Sequence, residues 1–105
     1  MWCDYGRMSS FIFIYRAGSE PIPEDRIGEN RAAWAVWNKA LQEDYGIRVA
    51  QGKSVTANGV EDYTGDVRGA SMVEFDSIDE AVRVAQGSPN LVFGGSVEVL
   101  AEHGR

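Results

Sequence analysis

Carboxylates and aromatics set on short apolar runs are the reactive side chains of this sequence. Glu74 lies in the run GASMVEF and Glu98 in GSVEVL. Each run alternates, so every second residue shares one face of a strand. Glu74 then shares a face with Met72, and Glu98 with Ser96 and Leu100. Placed on one side of a sheet, with Arg16 or Arg68 to compensate, two partly desolvated carboxylates would serve as acid and base. The competing reading is that each forms an ordinary rim or interface ion pair. No catalytic residue is fixed by this pattern, and Glu74 and Glu98 stand as its candidates.

Trp34 and Trp37 stand three residues apart on a helical run. Indole rings offer large apolar area with one donor each, which suits an aromatic ligand pocket as well as a core. Trp37 is centred on the apolar stripe, where packing on a sheet is the default. Trp34 lies at the margin and is the better pocket residue. Tyr15 and Arg16, at the end of the first strand, complete the candidate ligand contacts.

Other reactive residues lack partners in the sequence. Cys3 is the sole cysteine and His103 the sole histidine, so no intrachain disulfide forms and neither a metal nor another cofactor is expected. Ser88 has no visible base. Asp76 precedes a helix start and adds favourable charge there. Gly94 and Gly95 precede a strand, so no helix N-terminus points at an anion.

Hydrophobic periodicity predicts the strands and helices that carry these side chains. Ser10 to Arg16 (SFIFIYR) is a strand, with neither face polar between Phe11 and Tyr15, which predicts cover on both sides. After Pro21 and Pro23, acidic Glu24 and Asp25 open a helix predicted to Tyr45, with Ala33, Trp34, Trp37, Ala40 and Leu41 as its stripe and Gly46 as its stop. Lys39, Gln42 and Glu43 form its wet face. Asn58-Gly59 signals a hairpin turn between Ser54–Thr56 and Val60–Tyr63. Gly69 to Phe75 is a further strand. Ser77 and Glu80 match a capping box, so a second helix starts at Ser77, buries Ile78, Ala81, Val82 and Ala85, and stops at Gly87 before Pro89. Gly95 to Leu100 is the last strand.

This order matches the split βαβ arrangement: an α+β, ferredoxin-like βαββαβ fold with a four-stranded antiparallel sheet and two helices on one face. The second apolar face of the first strand then predicts a homodimer closing sheet against sheet. A chain of 105 residues reads as one domain over residues 8–105, with residues 1–7 expected as a flexible leader. A net charge of −6 with dispersed basic residues argues against nucleic acid as a partner. The sequence has no secretory signal pattern and no apolar run long enough to span a membrane, so a cytoplasmic protein with no membrane partner is expected.

The segments FIFIYRAG, AAWAVWNKAL, GASMVEFDSIDEAVRVAQGSP and GGSVEV, in this order over most of Ser10 to Leu100, resemble the YCII-related (DGPF-domain) family of the dimeric α+β barrel superfamily. The resemblance implies a ferredoxin-like domain that dimerises through its sheet, with a cleft between helices and sheet. Some relatives use a histidine on the first helix and an aspartate just before a proline after the second helix in lyase or dehalogenase chemistry. Here no histidine falls between Arg16 and Gly46, Ser88 precedes Pro89, and the DGPF tetrapeptide is replaced by TANGVEDYTGDVRG. Histidine–aspartate chemistry is therefore not expected. The resulting expectation is a homodimeric small-molecule-binding or accessory protein. The alternatives are a small enzyme using carboxylate acid–base chemistry on an aromatic or polyketide-like molecule, and a structural or regulatory dimer without ligand.

Overall fold

A computed structural model describes residues 9–41 and 46–103; the expected leader over residues 1–7, with Cys3, lies outside the described residues. Strand β1 (Ser9–Arg16) alternates strictly, burying Phe11, Phe13 and Tyr15 on one face. It occupies the middle of a four-stranded sheet, antiparallel to β5 (Val67–Phe75) on one side and β6 (Ser96–Ala101) on the other. A two-residue strand β2 (Ile47–Arg48) pairs with β5 at the edge, giving the order β2-β5-β1-β6. Helices α1 (Ile27–Ala40) and α2 (Ile78–Ala85) complete the expected ferredoxin-like α+β fold.

The core lies between the sheet and the helices. Phe13 is fully buried and packs near the rings of Phe75, Tyr15 and Trp37, with centroids 6.1, 6.4 and 6.5 Å away. Ala81 and Ala85 let α2 approach β1, β5 and β6 closely. By contrast, α1 lies closest to the 3-10 turn Pro89–Phe93, and Trp37 is its only buried residue. The large indole ring spans the gap that a helix of alanines would close.

Several local expectations change. The first helix begins as a 3-10 turn, Glu24–Arg26, directly after Pro23, and becomes α-helical only from Ile27. Its predicted continuation to Tyr45 runs into residues 42–45, outside the described residues. Of the expected stripe, Ala33 and Ala40 are exposed, and Trp34 and Leu41 are partly buried. On α2, Ile78 and Val82 are also exposed, because eight residues of helix present only the Ala81 and Ala85 edge squarely to the sheet.

The hairpin forms, but as its own two-stranded sheet of β3 (Lys53–Thr56) and β4 (Gly59–Asp62), exposed throughout. Thr56 pairs with Gly59, so Ala57-Asn58 is the loop and Gly59, at φ 144°, already belongs to the second strand. The second edge of the main sheet is β2 instead. Finally, Gly87 does not take a left-handed backbone; α2 stops because Pro89 opens the next 3-10 turn, which ends on Gly94 at φ 84°.

Candidate functional site

Because α1 does not lie flush on the sheet, a cleft of about 840 Å³ opens between them. Its helical wall carries Ile27, Asn30, Arg31, Trp34 and Asn38, residues three or four apart and hence on one helical face. Tyr15, Gly69 and Ser71 belong to its floor on β1 and β5. Gly18 and Phe93 close one end: a Cβ at Gly18 would lie 2.3 Å from the Phe93 carbonyl oxygen, so only glycine lets the loop pass there.

The floor is fixed by a buried polar chain. Trp37 Nε1 donates to the Tyr15 hydroxyl at 3.0 Å, and that hydroxyl lies 2.8 Å from Ser71 Oγ. Trp34 meets the Tyr15 ring edge-on, with centroids 4.9 Å apart and planes at 84°. At the closed end, Asn90 Nδ2 donates to the backbone oxygens of Arg16 and Ser96, each at 2.9 Å. Its Oδ1 accepts from Ser88 Oγ, which accounts for that buried serine without any catalytic role. Arg26 lies over the Phe93 ring at 4.9 Å. On the helical wall, Asn30 Oδ1 is shielded from solvent and has no hydrogen-bond partner among the described residues. An unmet buried acceptor costs about 1–3 kcal/mol.

Of the predicted ligand contacts, Tyr15, Arg16 and Trp34 line the cleft. Trp37 is not part of its lining; its ring is spent on the core, and its indole N–H reaches the cleft only through Tyr15. Arg16 is held by carboxylates: its Nε donates to Glu98 at 2.7 Å and its Nη1 to Asp66. These two bonds raise the guanidinium pKa above its ordinary value, the Glu98 bond contributing most.

The carboxylate pair does not form a site. Glu74 pairs with Ser10 and Glu98 with Ile14, both on the sheet face away from the helices. Four residues along β1 and two strand spacings separate them by roughly 17 Å, too far to act on one bond. Both are exposed, and Glu98 is an ion-pair partner, the competing reading of its pattern. Arg68 turns to the backbone carbonyls of Gly65 and Val67. Asp76 contributes its backbone N–H, which donates to Glu80 Oε1.

Charge is distributed unevenly over the cleft. Among the described residues, Arg16, Arg31, Arg48 and Arg68 border it against Glu20 as the one carboxylate residue, the Arg16 guanidinium being held by Asp66 and Glu98. Asn30, Arg31, Arg48, Ser71 and Asn90 were not singled out by the sequence. The spacing of Asn30, Arg31, Trp34 and Asn38 did carry the signal of a polar flank beside the apolar stripe. Nothing local marked Ser71 or Arg48, whose positions depend on strand register. Among the described residues, no three His, Cys, Asp or Glu side chains cluster as a metal site, and no helix is long and apolar enough to cross a membrane. No family model and no curated protein matches this chain.

Proposed function

We propose that this chain is a homodimeric small-molecule-binding protein whose ligand occupies the cleft between α1 and the sheet. The observation that carries the reading is the cleft itself: about 840 Å³, within the usual range for ligand sites, with a hydrogen-bonded Tyr15–Ser71 floor and the orphan acceptor of Asn30 on its wall. The separation of Glu74 from Glu98 weighs against carboxylate catalysis, so binding is the favoured activity. Kinship with the YCII-related family belongs to the same proposal; it is supported by the four sequence segments and by the ferredoxin-like topology on which they fall.

The dimer is supported by the uncovered sheet face. Leu100, Ile12 and Met72 stand in one row across β6, β1 and β5, and they are 50%, 37% and 57% exposed. Ile14, Ala70 and exposed Ile47 extend the row's apolar surface toward β2. Burying that face against a second copy removes a patch that soluble monomers rarely carry.

A thermal-shift screen of small aromatic compounds tests the binding reading, since a ligand that binds only the folded state raises its apparent stability. Hits should stabilise the wild-type protein and lose their effect in Trp34→Ala. A screen without hits, or hits indifferent to that substitution, would reject the cleft. Light scattering tests the assembly: twice the chain mass is expected, falling to the monomer in Met72→Lys/Leu100→Lys.

A further inference from the structure

We infer that the cleft takes a planar aromatic ligand bearing a carboxylate, the anion received by Arg31 and Arg48 and the ring by Trp34. The inference rests on the cleft being a ligand site and adds the class of ligand. The chain as a whole is acidic, with 16 Asp and Glu against 10 Lys and Arg, yet among the described residues of this one concavity arginine outnumbers carboxylate. A cationic cleft in an acidic protein selects anions locally, because low-dielectric walls focus its field.

The four arginines are not equivalent. Arg16 is neutralised by Asp66 and Glu98. Arg68 donates to the backbone carbonyls of Gly65 and Val67 at the start of its own strand. Arg31 and Arg48 are exposed and make no ion pair among the described residues. Arg31 stands three residues before Trp34, on the same wall of α1. Arg48 pairs across the sheet with Gly69, which pairs in turn with Tyr15, so its side chain rises on the cleft side of β2. Cations thus stand on both the helical wall and the sheet edge, and a planar guanidinium suits the two oxygens of a carboxylate.

The rest of the lining sets the remainder of the ligand. Trp34 and Tyr15 offer ring surface at right angles to each other, and Ile27 and Phe93 add apolar walls. An aliphatic acid would leave these rings uncovered. A neutral aromatic would leave both arginines without a counterion.

The test is a calorimetric comparison of naphthoate with its neutral amide, naphthamide, on the full chain, as wild type and as Arg31→Gln, Arg48→Gln and the double variant. Naphthoate should bind the wild type at least about tenfold more tightly than naphthamide. The double variant should lose that preference while its naphthamide affinity stays unchanged. Both arginines are exposed, so the unfolding midpoints should not move; raising the salt from roughly 20 to roughly 200 mM should weaken naphthoate alone in the wild type. Equal binding of acid and amide, or a preference that survives both substitutions, overturns the inference and leaves the cleft standing as a ligand site. Binding of neither compound at millimolar concentration overturns both.

Discussion

The indole N–H of Trp37 on α1 and the hydroxyl of Tyr15 on β1 meet at 3.0 Å in the buried interior, and Ser71 on β5 stands 2.8 Å beyond. This chain joins the helix that stands off the sheet to two adjacent strands. It also orients the Tyr15 ring against which Trp34 rests, so packing and site share one set of atoms.

Tyr15→Phe should therefore cost more than the loss of one exposed hydroxyl. The Trp37 indole N–H and Ser71 Oγ, in a residue 1% exposed, would each lose this partner. The expected loss is about 1–3 kcal/mol, read as a lower denaturant midpoint at unchanged slope.

At the start of α2, the Ser77 side chain accepts from the Glu80 N–H at 3.2 Å, while Glu80 Oε1 accepts from the Asp76 N–H at 3.0 Å. The return bond thus falls one residue earlier than the simple capping box predicts. Ser77→Ala should lower stability by about 1 kcal/mol, measured by chemical denaturation, and Ser77→Asp should restore most of it.

The Ser77 cap, the alternating β1 and the β6 run were legible in the sequence because hydrophobic period and capping chemistry are local. The edge strand Ile47–Arg48 was not, since two residues carry no period and their pairing with β5 is a tertiary event. The hairpin was legible as a turn, but its separation from the main sheet was not. The site was readable in its aromatics, Trp34 and Tyr15. Its cations were hidden, because Arg31 and Arg48 reach the same cleft, from the helical wall and the sheet edge, through the spacing of a helix and the register of a strand.

Ion pairing on α1 gives a pH dependence of known sign. Arg26 donates to Glu29 and holds its carboxyl below the ordinary value, the hydrogen bond contributing most. A lowered folded pKa stabilises the fold fully above the unfolded value, near 4.3, and that contribution disappears as pH falls through the folded value. The pair is exposed, so its effect is small. Glu29→Gln should lower stability slightly at neutral pH and converge on the wild type as pH falls below about 4, so that its acid limb is flatter by that same small amount. An acid limb identical to the wild type's would mean that the pair does not persist in solution.

The two tryptophans of α1 should separate in their effects on stability. Trp37 is 9% exposed, packs near Phe13 and donates a buried hydrogen bond. Its replacement by alanine leaves a dry cavity and an unmatched Tyr15 environment, with an expected cost of about 3–5 kcal/mol. Trp34 is only partly buried and borders an existing opening, so Trp34→Ala enlarges the cleft without creating a new void. Its cost should be markedly less, set by the lost edge contact with Tyr15 at about 0.5–1.5 kcal/mol and the ring's partial burial. Lys39→Ala, on an exposed position of the same helix, should stay within about 0.5 kcal/mol and serves as the control for helix propensity. Denaturant midpoints of the three variants decide the matter. Comparable losses for Trp34→Ala and Trp37→Ala would show that both rings fill one continuous core and that the space beside Trp34 closes in solution.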